Sequence, residues 1–564
     1  MINFDEGNLA AGTLVTDQFE GINVSTPSPF GVMIFDTNNP TGEDYDLATE
    51  DLGNVLIISE DGDTSDPDDN AAGGTIKIEF DEPSTVEAIG LLDIEELGGS
   101  IEFFDAESNL IDGLQIEPFA NGRSFEFYPI ITSGISYIEL NLPGSGALTS
   151  IDFSSEEPTV DTSPIQLTES GWEQDGQQLG IWTENGELVT SLSGVEVAEG
   201  IIVNTLGGDD VVNSLVSSDV GLSNQGTINT GGGNDLLQAS VVGNGNGFVG
   251  IFNEPGAVID TGEGDDRLIG SVEAENNSRS HASIEFSFQR SLNTGAGNDQ
   301  IKGTVDAGVD GSFDGDFHDG ISLSYISDFS TGEGNDEITG IVEVGRNGEG
   351  NTGFINNVSS MNTEAGNDLI TGTVTVARNG DRNRGFVNGE ASTFTGDGDD
   401  CIIGTVQVGG NGSSNRGIAA GLGGINLEAG DDYLYGAVEV ADGQGNFGIE
   451  NSENIIRMGA GNDRIEGKGT DAYSGFNSSG SFSLIELGEG DDTIVGFGRE
   501  VVEGGAGFDT AEFEFTLDDS VTFGSSDSTS IDITANEKTM SFTNVEEFVF
   551  ADESFSLNEL ISLS

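Results

Sequence analysis

Along Leu369-Ile370-Thr371-Gly372-Thr373-Val374-Thr375-Val376, Ile370, Gly372, Val374 and Val376 fall on one face, and Thr371, Thr373 and Thr375 fall on the other. Alternation with period two predicts a half-buried strand. A second strand is predicted near the middle of each unit, at Gly353-Phe354-Ile355-Asn356, Gly385-Phe386-Val387-Asn388 and Gly448-Ile449-Glu450-Asn451. A third is marked by one apolar residue shortly before a turn: Ile228, Ile259, Leu292, Met361, Ile425, Ile456 and Ile485. Each unit therefore offers about three short strands and three turns, one rung of a parallel β-helix or widened β-roll.

The rungs are punctuated by a Gly-rich turn that ends in aspartate, as in Thr294-Gly295-Ala296-Gly297-Asn298-Asp299, Thr331-Gly332-Glu333-Gly334-Asn335-Asp336 and Leu487-Gly488-Glu489-Gly490-Asp491-Asp492. The turn occurs eleven times between residues 205 and 509, always with Gly at its fourth position and Asp at its sixth. Those aspartates are Asp210, Asp235, Asp266, Asp299, Asp336, Asp368, Asp400, Asp432, Asp463, Asp492 and Asp509, spaced 29 to 37 residues apart from Asp235 to Asp492. Repetition at that period marks a solenoid, whose units bury their apolar faces only against their neighbours. At about 4.8 Å per rung, ten rungs form a rod on the order of 50 Å long.

Residues 1–155 lack the repeat and read as many short strands, among them Asn54-Val55-Leu56-Ile57-Ile58, Thr75-Ile76-Lys77-Ile78-Glu79-Phe80 and Ile101-Glu102-Phe103-Phe104. Gly, Asp, Asn and Pro turns between them predict an antiparallel β-sandwich. The stretch 156–164, polar and with Pro158 and Pro164, reads as a linker. Residues 165–204 carry Trp172 and Trp182 and are expected to cap the open end of the solenoid, which would otherwise recruit other chains. The repeats occupy 205–510, and 511–564 read as a closing β cap. The expected class is all-β: an N-terminal antiparallel sandwich, a parallel β-solenoid and a C-terminal cap.

The formal net charge of −85, from 16 basic and 101 acidic residues, excludes nucleic acid as a partner and argues against anionic membrane surfaces. No apolar run reaches the 18 residues of a membrane-spanning helix. The N-terminus, Met1-Ile2-Asn3-Phe4-Asp5-Glu6, lacks the basic and apolar regions of a secretory signal peptide, so export would need another signal. A single cysteine, Cys401, cannot form an intramolecular disulfide.

Charge also bears on the turns. Glycines at the second and fourth positions permit positive φ, which lets carbonyl oxygens point inward beside the sixth-position carboxylate. Carboxylate plus carbonyl oxygen suits Ca2+, a hard cation that takes six to eight oxygens. Stacking places successive aspartates roughly 5 Å apart, where two ionised neighbours cost about 3 kcal/mol at an effective dielectric near 20. Nine or ten such pairs exceed the net stability of most domains, so a counterion is expected. The alternative is that Gly, Asn and Asp are simply good turn formers with carboxylates in bulk water. Against it, the fifth position varies among Asn, Asp and Phe508 while the sixth does not.

These turns resemble the RTX repeats, the calcium-binding G-G-x-G-x-D-x-U-x nonapeptides of secreted bacterial proteins. The resemblance spans roughly residues 200–564 and implies that each turn gives its aspartate and backbone carbonyls to calcium held between neighbouring turns. It also implies an uncleaved C-terminal type I export signal, with Met540–Asp552 similar to the family's closing strands. The chain departs from the family in having one turn per roughly 32 residues and in replacing the first glycine everywhere except Gly504. Glu364 and Glu428 replace the second glycine, so weaker or rearranged sites are expected there, and the opening turn 205–210 reads as a half-site.

The segments around Asp44-Tyr45-Asp46-Leu47, Asn54–Ile58 and Pro67–Asn70 with Gly73-Gly74 are similar to a jelly-roll-like module of bacterial surface proteins, and this implies a glycan or cell-surface ligand for residues 1–155. Asp44, Asp46, Asp66, Asp68 and Asp69 form either a further calcium site or solvated acidic loops. Catalysis has little support, because the chain lacks a Gly-x-Ser-x-Gly elbow, a His-Glu-x-x-His helix and a P-loop, and its two histidines, His281 and His318, show no common register. Cys401 follows Asp400 where other units carry Leu, Arg or Thr, as a tolerated strand residue would. Tyr325, Tyr433 and Tyr435 are the residues that would serve a lyase or epimerase. An ice- or mineral-binding face needs the Thr371, Thr373 and Thr375 array on most rungs, but neighbouring units carry Glu, Lys or Gln. The expectation is a secreted, non-enzymatic calcium-binding protein with a structural or adhesive role.

Overall fold

The computed structural model describes residues 2–563 apart from 5–8, 20, 42–46, 50–51, 95–97, 107, 117–124, 155–162, 175, 184–185, 218, 244, 275–279, 288–290, 308–316, 325–327, 346–347, 358–359, 391, 479–482, 518–519 and 526–527. The chain divides into two compact units, Met1–Thr162 and Ser163–Ser564. Most of the expected linker lies outside the described residues. No helix among the described residues is long and apolar enough to cross a membrane.

The first unit is built on a ten-stranded antiparallel sheet. Its two longest strands, Gly74–Leu92 and Phe125–Leu142, pair from Gly74 opposite Leu142 to Leu92 opposite Phe125, with register shifts between Glu79 and Ala88. Ile76, Ile78, Ile89, Leu91, Ile101, Phe103, Ile138 and Leu140 are buried in its principal core. A second apolar cluster gathers Met33, Phe35, Val55, Ile57 and Leu92. Alternate residues of Val32–Asp36 and Asn54–Ile58 divide between the two, so both faces of these strands are covered.

The second unit is a parallel β-solenoid. Each rung carries a strand just after the aspartate, such as Arg267–Ala274, a mid-unit strand, such as Ala282–Ser287, and a short one before the next turn, such as Ser291–Asn293. Each pairs in parallel with its equivalent on the next rung; Arg267–Ala274 runs opposite Gln300–Ala307 without a register shift. This one-to-one register stacks identical positions. Leu268, Ile301, Ile338, Ile370, Ile402, Leu434 and Ile465 form a column in the main core, and the pre-turn residues Ile259, Leu292, Phe329, Met361, Ile425, Ile456 and Ile485 form another.

A glycine column explains why the core is split in two. A Cβ on Gly372 would stand 2.2 Å from the Gly385 carbonyl oxygen, and one on Gly404 would stand 2.2 Å from that of Gly417. Two faces therefore touch backbone to backbone along this seam. Beyond it lies a separate column of Val241, Val272, Val305, Val342, Val374, Val406 and Val438. The rung changes after residue 440, where the strand following the aspartate shortens to Arg464–Lys468 and then Thr493–Val495.

At its ends the unit turns antiparallel. Ile165–Thr168, Gly171–Gln174 and Gln177–Gly180 form a ribbon where Trp172 and Trp182 pack with ring centroids 5.0 Å apart. Ser530–Ala535 and Lys538–Thr543 form a hairpin at the other end.

Candidate metal ladder

The turn works because its second and fourth residues are left-handed. Gly231, Gly262, Gly295, Gly332 and Gly396 have φ between 95° and 103° at the second position, and Gly297, Gly334, Gly398 and Gly430 have φ between 152° and 156° at the fourth. Each fourth-position carbonyl faces the next turn: a Cβ on Gly264 would stand 1.8 Å from the Gly233 oxygen, and one on Gly297 would stand 1.8 Å from that of Gly264. No side chain fits there. Leu206, Glu364 and Glu428 hold the second position at φ 85°, 69° and 71°, a conformation that disfavours an L side chain by about 1–2 kcal/mol.

All eleven aspartates expected from the repeat stand in one column, and every one is buried, 0–2% exposed. The Asp210 backbone N–H donates to Asp235 Oδ1 at 2.7 Å. The same bond runs from Asp235 to Asp266, to Asp299, to Asp336 and to Asp368, each at 2.8 or 2.9 Å. It continues through Asp400, Asp432, Asp463, Asp492 and Asp509 at 2.8–3.0 Å.

The second carboxylate oxygen is different. Oδ2 of Asp235, Asp266, Asp299, Asp336, Asp368, Asp400, Asp432, Asp463, Asp492 and Asp509 is buried without a hydrogen-bond partner. The Asp210 Oδ2 accepts from the Thr205 hydroxyl, and on the six turns from Asp235 to Asp400 the first-position threonine hydroxyl lies near enough to the carboxyl to lower its pKa against the effect of burial. Burial pushes these carboxyls up, to about 6 for Asp235, Asp336, Asp368, Asp400, Asp463, Asp492 and Asp509, about 7 for Asp299 and about 8 for Asp210, Asp266 and Asp432. Ten buried carboxylate oxygens without a hydrogen-bond partner in one dry column are hard oxygen donors that a cation would satisfy.

The fifth position builds a second ladder in the opposite sense. The Asn234 N–H donates to Asp209 Oδ1 at 2.6 Å, Asp265 to Asn234 at 2.8 Å and Asn298 to Asp265 at 2.7 Å, and the pattern continues through Asn335, Asn367, Asp399, Asp431, Asn462 and Asp491. These side chains bond through Oδ1 at the surface, so Asn and Asp serve equally well.

Among the described residues, no three His, Cys, Asp or Glu side chains converge as a self-contained metal cluster. In a ladder each rung would supply one carboxylate, and any further oxygens would have to come from the turn backbone. No family model matches the chain, and no curated protein matches it. One solved structure aligns with it. It is titled "X-ray crystal structure of a hyperactive, Ca2+-dependent, beta-helical antifreeze protein from an Antarctic bacterium", with 15% identity over 71% of this chain and 96% of that chain, and a TM-score of 0.28. A likeness that distant transfers nothing about the site, which rests on its own geometry.

Two rungs of the ladder went unrecognised in the sequence because neither carries the motif. Glu187 stands opposite Asp210, to which its N–H donates at 2.8 Å, and Glu546 stands opposite Asp509 and accepts the Asp509 N–H at 2.8 Å. The signal was an acidic residue directly before a strand, Leu188–Ser191 or Glu547–Val549, with Gly186 before Glu187 but no glycine beside Glu546.

The histidines correct the sequence reading: they do share a register. The His281 N–H donates to His318 Nδ1 at 3.2 Å, and the rings stack 5.1 Å apart. They continue an internal column of Asn351, Asn383, Asn415 and Asn446, in which each N–H donates to the next Oδ1 at 2.9–3.0 Å. The 37-residue unit between them hid the register. Burial pushes His281 down to about 4 and His318 to about 3, so both are neutral structural acceptors.

The remaining candidates fall outside the ladder. Tyr433 and Tyr435 stack 5.8 Å apart on the outer face, and the Tyr433 hydroxyl donates to Glu466 at 3.2 Å. Burial pushes that hydroxyl up to about 12, the wrong direction for a base. Tyr325 lies outside the described residues. Cys401 is half-buried, its thiol pushed up to about 11 by burial. Thr373 and Thr405 join hydroxyls at 3.1 Å, but Thr375 is flanked by Glu343 and Gln407, so the threonine array is interrupted. In the first unit Asp44 and Asp46 lie outside the described residues. Asp69 is buried, accepting from Ser145 Oγ at 2.7 Å and the Gly146 N–H at 2.9 Å, as a loop anchor would.

Proposed function

We propose that this chain is an RTX-like extracellular calcium-binding protein in which Ca2+ seated along the aspartate column completes the solenoid. The column of ten buried, unpartnered Oδ2 atoms carries the reading. Cations would be held by these oxygens and the inward turn carbonyls, and calcium suits a site made only of oxygen. The ion supplies positive charge that keeps the carboxylates ionised; the chain's residues supply spacing, dryness and backbone register.

A rod that folds only with calcium suits export through a calcium-poor cytosol into calcium-rich surroundings, and extracellular modules bind at about 10⁻⁴–10⁻³ M. Its role is structural or adhesive rather than catalytic, and the first unit is the part we assign to a glycan or cell-surface ligand. A calcium titration of the full chain followed by circular dichroism tests the reading. Strand signal is expected to grow with calcium over that range, and a spectrum unchanged between excess chelator and saturating calcium would overturn it. Binding of residues 1–155 to a glycan array tests the adhesive role, with no bound glycan as the opposing result.

A further inference from the structure

The ladder continues past the last glycine turn. We propose that Glu546 is its closing rung and that Asp509, Glu546 and the Asn544 carbonyl hold a terminal divalent cation outside the repeats. This rests on the calcium reading of the ladder.

The backbone places Glu546 there. Strand Thr510–Glu512 pairs with Glu547–Val549 so that Thr510 faces Glu547, while Glu503 faces Thr543 on the preceding strand. The turn is therefore cut from residues 504–509 to residues 544–546. The shorter turn needs a longer side chain: Glu546 makes through Oε2 the bond that each aspartate makes through Oδ1, in the same direction and at the same 2.8 Å. The N–H groups of Glu546 and Glu547 both return to the Asp509 carbonyl at 3.0 Å and fix the spacing.

What makes this rung a seat is the close approach of two oxygens to Gly504, which has no Cβ to hold them apart. A Cβ on that residue would lie 1.9 Å from the Asn544 carbonyl oxygen and 2.5 Å from Asp509 Oδ2. The Asn544 carbonyl oxygen and the buried, unpartnered Asp509 Oδ2 therefore both pack against the bare Gly504 Cα, near enough to each other for one cation to bridge them. Every other turn carries Thr, Leu or Met at the position of Gly504. Asn544 reaches its place through a left-handed φ of 52°, which Asn tolerates better than most residues. An open groove of about 550 Å³, lined in part by Phe508, Asn544, Glu546 and Phe555, provides an entry path.

The opposite end is closed without a seat. Both Glu187 carboxylate oxygens accept from Thr183, from its N–H and its hydroxyl, and Asp210 Oδ2 accepts from Thr205. The two terminal glutamates are therefore unequal.

Bound calcium per chain, measured by elemental analysis after equilibrium dialysis at saturating calcium, separates them. Glu546→Gln is expected to hold one ion fewer than the wild type, and Glu187→Gln the same number. Gly504→Ala would drive the Asn544 carbonyl and Asp509 Oδ2 apart with Glu546 intact and is expected to lose the same ion, which keeps the test valid if Glu546→Gln does not fold. Full calcium content in a folded Glu546→Gln or Gly504→Ala chain overturns this inference but leaves the ladder reading standing. A wild-type chain without calcium overturns both.

Discussion

The two ladders of the turn lie side by side, use the same Oδ1-to-backbone bond and differ in what they tolerate. The outer one mixes Asn and Asp and ends at Phe508; the inner one is aspartate on all eleven turns. Asparagine would supply the inner Oδ1 acceptor equally well, so the hydrogen bond does not account for the choice. Burial and the second oxygen do, because the inner Oδ2 is dry and unpartnered while the outer side chains reach water. A charge retained where it costs most is what the proposed cation would account for.

A second contrast agrees. The rungs up to residue 440 have a valine column behind the seam and those after it lose it, while the first turn position changes one rung earlier, from Thr at Thr205 to Thr395 to Leu427, Met458, Leu487 and Gly504. The unit contracts from 31 residues to 29 and then 17. Through all of this the inner ladder bond stays within 2.7–3.0 Å. The column of aspartates is shared by wide and narrow rungs.

The largest effect is expected from chelation at neutral pH. Moving a carboxyl from 3.8 to about 6 disfavours its ionised form by about 3 kcal/mol, and ten of them exceed the about 5–15 kcal/mol net stability of a domain. Hydrogen exchange in EDTA should therefore expose residues 163–564 while leaving strands such as Gly74–Leu92 protected. Protected ladder N–H groups in chelator would remove the distinction between the inner and outer columns.

The pH dependence follows in sign. In the chelated chain the inner carboxyls are raised above their unfolded value, so the folded state binds more protons and their contribution is fully present below about pH 4. It is lost as pH rises through about 6 to 8. Thermal melts in EDTA should show higher stability at pH 5 than at pH 8, and melts in calcium the reverse, because bound cations hold the carboxylates ionised and acid releases them. The same pH trend in both would break the account.

Exchanging one atom in each ladder sharpens it. Asp299→Asn should cost the calcium-loaded chain about 3 kcal/mol and stabilise the chelated chain at pH 8, since it removes a buried charge. Asp265→Asn, in the outer ladder, should stay within about 0.5 kcal/mol in both, as surface changes do. Denaturant melts with and without calcium measure all four values. Glu428→Gly relieves a left-handed side chain and should stabilise by about 1 kcal/mol. A loss of stability there would mean that the Glu428 side chain is itself used.

Much of this was legible because a solenoid repeats its evidence. Alternation at Ile370 to Val376 and the pre-turn residues Ile259 to Ile485 gave strands and core, and the turns gave the ladder. What stayed hidden had no repeat behind it. Glu187 and Glu546 lack the six-residue Gly/Asp motif, the histidine register is masked by a longer unit, and the split core depends on backbone contact at Gly372 and Gly385, where no side chain marks the seam. In the first unit, acidic clusters such as Asp66, Asp68 and Asp69 read alike whether anchoring or exposed.

Anomalous diffraction from crystals grown in calcium, collected at long wavelength, tests the central claim most directly. A row of peaks beside Oδ2 of Asp235 through Asp509 is the expected result. Carboxylates in their hydrogen-bonded places with no peak beside any of them would contradict it.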